Sequence, residues 1–228
     1  MNKKPHIVFC AYRDWATSIY RTISKKYKDS AHFHLIESKE DFTTFFNAGN
    51  RPNMIFFVGW SWILPKEVVQ HGICICLHPS PLPRYRGGSP IQNQIINGEK
   101  ESALTLFVMD EKIDHGAIAW QKSFSLAGDL QNVLDRIAQA GLEGIDDVLR
   151  QYFDNGKLHV TPQDEKRATY FKRRTPDMSE IKPKDFLTNT AEQIYDKVRA
   201  LQDPYPNAYI VCKGNTKLYL QNVKVDSK

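Results

Sequence analysis

Short apolar runs alternate with amphipathic segments along the first half of the chain, and this alternation restricts the fold more than any other feature. The apolar runs have the length and β-rich character of buried strands, and they cover residues 6–11, 33–37, 54–58, 72–77 and 104–109. The segments with helical periodicity are residues 15–27 and 41–48. Strands that alternate with helices form a mostly parallel, doubly wound sheet with helices on both faces. The sequence therefore predicts an α/β fold.

The second half of the chain predicts one more strand, a long helix and then a small subdomain. Residues 117–124 have the pattern of a strand, and Asp129 is a candidate N-cap for the long helix, which carries apolar residues at Val133, Ile137, Ile145 and Leu149. Beyond Asn155 the chain is polar and rich in turns. A short helix is expected at residues 191–201, and a hairpin is expected at 208–212 and 217–225, with its turn at residues 213–215. We expect a main domain over residues 1–155 and a small α+β subdomain over residues 156–228.

The composition is that of an ordinary globular chain. With 228 residues and 41% apolar composition, it can bury a substantial core. No apolar run approaches the roughly 18 residues that cross a bilayer, and no long apolar stretch marks a signal peptide, so a cytoplasmic location is expected. The four cysteines lack CxxC spacing and predict free thiols. The net charge of +5, from 31 basic and 26 acidic residues, is only a weak sign of nucleic-acid binding.

Residue types that carry chemistry concentrate between residues 76 and 116. The predicted strand over 72–77 ends at His78, and the prolines that follow prevent a helix and give a rigid, extended loop. Asp114 lies in the turn after the predicted strand over 104–109. Ligands of open α/β sheets bind at the edge where strands end, and a histidine beside a carboxylate is a suitable acid/base pair. We therefore expect His78 and Asp114 to act together.

The sequences of these two loops, HPSPLPRYRGGSPI and IDHGAI, resemble those of the folate-dependent formyltransferases. The resemblance extends over nearly the whole chain, and it is greatest to the sugar-nucleotide N-formyltransferases in the segments YRDWA, FFVGWSWILP, YFKRRTPDMSEI and RALQDPYPNAY. It implies a Rossmann-like sheet and the transfer of a formyl group from 10-formyltetrahydrofolate to an amine, without a metal. It also implies a homodimer.

The resemblance implies an active site with one unusual position. The family uses an Asn, a His and an Asp; His78 and Asp114 match the last two, whereas Cys76 occupies the position of the Asn. The oxyanion that develops when an amine attacks the formyl carbon needs hydrogen-bond donors, and a thiol is a weak donor. Cys76 therefore permits three interpretations, namely weak activity, a site that compensates for the lost amide, or a relative without catalysis.

The resemblance also assigns residues to the two ligands. Folate contacts are expected along the segment after the third strand and in the second loop, from Trp60, Ser61, Trp62, Ile63, Leu64, Met109, Asp110, Ile113 and Gly116. Acceptor contacts are expected from Tyr12, Arg13, Trp15, Pro79, Ser80 and the basic cluster Lys172, Arg173 and Arg174, which would reach a pyrophosphate. Core packing is the alternative role for the tryptophans at 60 and 62, and a solvated surface is the alternative for the basic cluster.

Two further groups of residues receive other interpretations. Arg84 and Arg86 are expected to fix the loop by bonding to backbone carbonyls. Cys76, His78 and His115 are metal-ligand types in neighbouring loops. They lack tetrahedral spacing and a fourth ligand, so no metal site is expected.

The predicted function is that of a cytoplasmic enzyme that formylates the primary amine of a nucleotide-linked amino-deoxy sugar. A dTDP-linked sugar destined for surface polysaccharide is the expected acceptor, with neither nucleic acid nor a membrane as partner. Two alternatives stay open. Methionyl-tRNA formylation is disfavoured because the tail is shorter than the basic appendage of those enzymes. A folate or nucleotide-sugar binding protein without turnover is the other alternative, and Cys76 is its motive.

Overall fold

The computed structural model describes residues 4–62, 64–70 and 72–226. Its strands are β1 (His6–Cys10), β2 (His32–Ile36), β3 (Met54–Val58), β4 (Ile73–His78), β5 (Arg86–Gly87), β6 (Glu101–Val108), β7 (Ile118–Ser125), β8 (Tyr170–Phe171), β9 (Tyr209–Val211) and β10 (Lys217–Tyr219). Its α-helices are α1 (Asp14–Lys26), α2 (Lys39–Asn47), α3 (Lys66–Gln70), α4 (Pro90–Ile96), α5 (Leu130–Asn155), α6 (Asp185–Thr188) and α7 (Ala191–Ala200). Most of these elements lie within three residues of their predicted positions.

Six strands form the central sheet in the order β2-β1-β3-β4-β6-β7. The three pairings among β2, β1, β3 and β4 are parallel, and the two pairings that add β6 and β7 are antiparallel. The predicted mostly parallel α/β sheet is confirmed. β6 and β7 are antiparallel neighbours joined by a loop, as antiparallel pairs can be. β6 also runs antiparallel to β4, although helix α4 lies between these two strands in the chain.

The sheet is doubly wound because alternate residues of its inner strands face different helix layers. Ile7 and Phe9 of β1 belong to the larger apolar cluster, which includes buried residues of α1 and α5. Val8 and Cys10 belong to a second cluster, which contains Phe42 of α2. Strands that are buried on both faces read as continuous apolar runs, and for this reason β1 and β3 could be recognised from the sequence.

Helix α5 covers one face of the sheet, and its start follows the predicted cap. The Asp129 carboxylate accepts from the Asn132 backbone N–H, and the Asn132 side chain accepts from the Asp129 N–H in return. Its close packing needs a residue without a side chain at Gly144, where a Cβ would lie 2.6 Å from the Trp120 ring. The helix ends at Asn155, and Gly156 caps it at φ 67°. The proposed domain boundary after Asn155 stays a prediction.

The C-terminal part packs against α4 through its own small apolar cluster. Ile181, Val198, Leu201 and Ala208 are buried together, and α7 lies against α4. The predicted hairpin forms from β9 and β10, and its second strand ends at Tyr219 rather than continuing to residue 225. No helix in the described ranges is long and apolar enough to cross a membrane.

Candidate active site

A cavity of about 510 Å³ opens at the carboxyl edge of the parallel strands β1, β3 and β4. Each strand supplies lining residues as it ends: Tyr12 after β1, residues 59–61 after β3, and His78 at the end of β4. Asp114 and residues 173–175 line the cavity from the loops that follow. The position and volume are those of a small-molecule site in an open α/β fold.

His78 and Asp114 face each other in this cavity. Nδ1 of His78 lies 3.6 Å from Oδ2 of Asp114, and both side chains are largely buried. The other ring nitrogen, Nε2, lies 2.9 Å from the carbonyl oxygen of Tyr85. A carbonyl can only accept, so Nε2 carries a proton, and Nδ1 is the ring nitrogen that faces the carboxylate. This arrangement suits a base whose protonated form the carboxylate stabilises. The catalytic roles of both residues stay predictions.

The way in which the chain brings Asp114 to His78 differs from the expected one. Strands β4 and β6 are antiparallel, with His78 opposite Thr105 and Ile75 opposite Val108, so β6 ends nearer the beginning of β4 than its end. The expectation that both side chains follow strand ends at one edge is therefore wrong for β6. The loop after β6 turns back to place Asp114, whose φ is 49°, where its Oδ2 accepts from the Gly87 N–H at 2.7 Å.

Arg86 holds the loop between His78 and Gly87 in place from inside the protein. Its side chain is fully buried, and its guanidinium donates to Gln163, Glu165 and the Tyr170 hydroxyl. The hydrogen bond with Glu165 is the main reason that the pKa of Arg86 is raised. Arg84 pairs with the Glu99 carboxylate. Both arginines are structural, but the expected bonds to backbone carbonyls are wrong, since side chains of distant segments supply the acceptors.

Cys76 lies two residues before His78 on the same strand and lines the cavity, as the sequence motif requires. Burial, with a smaller contribution from the Asp114 carboxylate, raises the pKa of its thiol well above the ordinary value. The thiol is therefore neutral near pH 7, a poor nucleophile and a weak hydrogen-bond donor. The geometry leaves the family's amide position without an equivalent group on this strand.

The structure divides the predicted folate residues into two sets. Trp60 and Ser61 line the cavity, and Trp60 also packs against Phe42 and Phe57 as its alternative role of core packing expects. The folate contacts of both residues stay predictions. Residues that do not line the cavity are Trp62, Leu64, Met109, Asp110, Ile113 and Gly116. The prediction for Ile63 lies outside the described residues.

Local contacts explain why most of that second set lies away from the cavity. Leu64 and Met109 pack against an apolar cluster of the core, and Asp110 accepts from His115 at 2.6 Å. Ile113 is 70% exposed. Gly116 lies against the Val108 carbonyl, where a Cβ would approach to 1.7 Å. Trp62 packs against Tyr12, with ring centroids 4.9 Å apart.

Most of the predicted acceptor residues line the cavity. They are Tyr12, Arg13, Trp15, Pro79, Arg173 and Arg174. Ser80 does not, because it is fully buried and its hydroxyl donates to the Arg84 carbonyl. Lys172 is exposed and does not line the cavity either.

Several lining residues were not predicted. Gln92 on α4 is 4% exposed, and Tyr205, which follows α7, reaches the cavity from the C-terminal part. Gly88 allows the backbone of Arg173 to come close, since a Cβ there would lie 2.3 Å from it. The tail sequence RALQDPYPNAY was noted for its resemblance, and this was the one signal that could have pointed to Tyr205. Among the described residues no three His, Cys, Asp or Glu side chains are grouped so that they could hold a metal ion.

The fold and the cavity agree with the family that the sequence matches. The model of the formyl transferase family matches residues 21–149, and that of its C-terminal domain matches residues 179–228. The chain therefore belongs to the formyl transferase family, whose members are enzymes that transfer formyl groups and use 10-formyltetrahydrofolate.

Two kinds of formyltransferase are among the proteins to which this chain is similar. A methionyl-tRNA formyltransferase of Halalkalibacterium halodurans is 34% identical over 168 residues, which are 72% of this chain and 51% of the relative. The chain thus spans about half the length of the curated relatives it matches. A methionyl-tRNA formyltransferase structure from Clostridium thermocellum has a TM-score of 0.84 at 28% identity, with 97% of this chain and 94% of that chain covered.

A sugar N-formyltransferase structure from a Shewanella species has a TM-score of 0.78 at 20% identity, with 99% of this chain and 100% of that chain covered. This likeness shows the fold alone. The chain spans only about half of the curated methionyl-tRNA formyltransferases but covers 94% of the Clostridium chain of that name, so the expectation based on the shorter tail stays a prediction.

Proposed function

We propose that the chain transfers a formyl group from 10-formyltetrahydrofolate to the primary amine of a nucleotide-linked amino-deoxy sugar, with dTDP as the nucleotide and surface polysaccharide as the destination. The observation that carries the proposal is the His78–Asp114 pair, with Nδ1 and Oδ2 3.6 Å apart in a cavity of small-molecule size. Three arginines line the same cavity. They suit an acceptor that carries the negative charge of a nucleotide better than an uncharged acceptor.

His78 is the residue that handles the proton in this proposal. When bound, 10-formyltetrahydrofolate would supply the formyl carbon to which the acceptor amine adds, with negative charge developing on the formyl oxygen. Nδ1 of His78 accepts the proton that the amine nitrogen loses, because Nε2 is already committed to the Tyr85 carbonyl. Asp114 then stabilises the imidazolium. The hydrogen bond from the Gly87 N–H fixes the orientation of the Asp114 carboxylate. The imidazolium would then return a proton to the tetrahydrofolate nitrogen as its bond to the formyl carbon breaks, which releases tetrahydrofolate and leaves the acceptor as a formamide.

The direct test is mass spectrometry of the acceptor after incubation with the full chain and 10-formyltetrahydrofolate. The acceptors are dTDP-4-amino-4,6-dideoxyglucose and its 3-amino isomer. A product heavier by one formyl group, formed by the wild type and not by His78→Ala, is the expected result. If His78→Ala retained full turnover, this mechanism would be abandoned.

Methionyl-tRNA formylation is the second candidate, and the 34% identity to enzymes of that name favours it. It predicts affinity for methionyl-tRNA that falls steeply with salt, because each phosphate contact releases counterions. Incubation with methionyl-tRNA under the same conditions separates the two candidates by the formylated product. A non-catalytic relative, the third candidate, predicts folate binding by calorimetry with neither product.

For the assembly we propose a homodimer in solution, with no nucleic-acid or membrane partner. The proposal has family resemblance as its only support. Light scattering of the purified chain measures the mass directly, and a monomer at all concentrations would contradict it.

A further inference from the structure

Unpaired hydrogen-bond donors are concentrated in the walls of the cavity. In the part of the chain that the structure describes, five buried side-chain polar atoms lack a partner, and four of them are N–H donors of cavity-lining residues, namely Trp15 Nε1, Trp60 Nε1, Gln92 Nε2 and Arg174 Nε. The fifth, an oxygen of Asn207, lies elsewhere. A buried donor without a partner is unfavourable, because it has lost its hydrogen bond to water and gained none in return. Such a concentration of donors favours a ligand rich in acceptor oxygens.

Arg13 is a cation that lines the cavity and that the protein positions without pairing it with a carboxylate. Its guanidinium carbon lies 5.1 Å from the ring centroid of Tyr12 and 4.9 Å from that of Tyr205, so both rings are within cation–π distance of it. Among the described residues its side chain forms neither an ion pair nor a hydrogen bond. Stacking on rings leaves the edge of the guanidinium free to donate to an anion.

The charges that face the cavity are unbalanced in the same direction. Arg13, Arg173 and Arg174 line it, and Asp114 is its one lining carboxylate among the described residues. Asp114 is already occupied by the Gly87 N–H and faces His78. Arg173 donates weakly to the Ser61 carbonyl at 3.4 Å, and Arg174 donates to the Met178 carbonyl. The cavity therefore has a cationic excess that its own residues do not neutralise.

We infer that Arg13, beside the rings of Tyr12 and Tyr205, is the anchor for the diphosphate group of the acceptor, and that Gln92, Trp15 and Arg174 supply further donors to it. We call these four donor residues, with Trp60, the donor wall. The inference rests on the proposed function for the identity of the acceptor, and it deepens that function by naming the residues that select it. A diphosphate has no donors to offer and several anionic oxygens, which match a wall of donors.

The test is calorimetric titration of the full chain with inorganic pyrophosphate and with dTDP, compared with 5-formyltetrahydrofolate. Arg13→Met keeps an unbranched apolar stem and removes the charge. We expect it to weaken pyrophosphate and dTDP binding by about tenfold to a hundredfold, the range for a lost charge-assisted bond, and to leave folate affinity unchanged. Arg21→Met is the matched control, because Arg21 is an exposed arginine on α1 that does not line the cavity.

Variants of Tyr205 and a second variant of Arg13 test whether the ring contacts position the Arg13 guanidinium. Tyr205→Phe keeps the ring and should retain the wild-type affinity for pyrophosphate. Tyr205→Ala removes the ring contact with Arg13 and should weaken pyrophosphate binding toward that of Arg13→Met. Arg13→Lys keeps the charge without the planar fork and should fall between Arg13→Met and the wild type. This variant preserves the test if Arg13→Met fails to fold, which circular dichroism would reveal.

Two results would overturn the inference. One is equal pyrophosphate affinity in Arg13→Met and wild type; the other is a loss confined to folate, which would assign Arg13 to the carboxylates of that ligand. The fate of the proposed function is read separately. Pyrophosphate binding that depends on Arg13, without formyl transfer to any amino sugar, would reject the function and leave the anion site standing.

Discussion

Two sets of residues at the cavity differ in how many of their polar groups have hydrogen-bond partners within the protein. The first set, which we call the loop wall, consists of residues 78–87 with Asp114, of which His78, Pro79, Gly87 and Asp114 line the cavity. Its polar groups have partners: His78 the Tyr85 carbonyl, Asp114 the Gly87 N–H, and Arg86 the Glu165 carboxylate. The second set, the donor wall, has four buried N–H donors without hydrogen-bond partners. One wall is complete without a ligand, and the other is not.

This difference separates the chemistry of the site from its recognition. Backbone strain in the loop wall supports the distinction, because Tyr85 and Asp114 hold positive φ values of 61° and 49°. Such conformations persist only where surrounding contacts determine them. The donor wall instead carries an unfavourable energy that a ligand with acceptors relieves. Under the two proposals made above, the reacting groups are preorganised, whereas the acceptor supplies the partners that the donor wall lacks.

The largest expected effect is that of removing the imidazole from the loop wall. His78→Ala should lower turnover by about a hundredfold to ten-thousandfold, the range for loss of a general base, with little change in folate affinity. Single-turnover formation of the formylated product measures it. His159→Ala, at an exposed histidine outside the cavity, is the control and should keep wild-type turnover.

Cys76→Asn should raise turnover, because it places an amide donor where the family has one. Gain of an oxyanion donor corresponds to about a hundredfold to a thousandfold, provided that the rest of the site is otherwise intact. Cys76→Ser, of similar size but without the amide, is the matched comparison and should stay near the wild type. An unchanged rate for Cys76→Asn would mean that another group already stabilises the oxyanion.

Arg86→Met should destabilise the fold and not merely the reaction. Its side chain is fully buried and bonded to three partners, so the substitution removes these hydrogen bonds and leaves the half-buried Gln163 oxygen without its donor. We expect a loss of about 3 kcal/mol in the free energy of unfolding, measured by urea denaturation. Arg84→Met removes a partly exposed ion pair with Glu99 and should cost less than about 1 kcal/mol. Equal losses in the two variants would contradict the structural role of Arg86.

The loop wall was more predictable from the sequence than the donor wall. Continuous apolar runs marked β1 and β3, and the loop motifs pointed to His78 and Asp114. The antiparallel direction of β6 was not predictable, since an apolar strand reads the same in either direction and its partner is chosen by tertiary packing. The exposure of Ile113 and the core position of Met109 depend on the same packing.

Four of the five donor-wall residues were predicted as ligand contacts, namely Arg13, Trp15, Trp60 and Arg174, but Gln92 and the unpaired state of the donors were not. Gln92 and Gln94 stand two residues apart on α4 and look alike in sequence, yet one amide nitrogen lacks a partner and the other is bonded twice. Whether a buried polar group is paired is decided by residues far away in the chain. Tyr205 reaches Arg13 across 192 positions (205 − 13) for the same reason.

That pair of glutamines gives the smallest predicted effect and the sharpest comparison of paired and unpaired groups. Gln94 donates to the Pro79 and Pro90 carbonyls and accepts from Ser102, so Gln94→Leu should cost about 2 kcal/mol of unfolding free energy. Gln92→Leu removes a donor that has no partner, and it should change stability by less than about 0.5 kcal/mol or increase it. Urea denaturation of the ligand-free chain measures both. A large loss in Gln92→Leu would show that the amide is already satisfied without ligand, and the contrast between the two walls would fail at that residue.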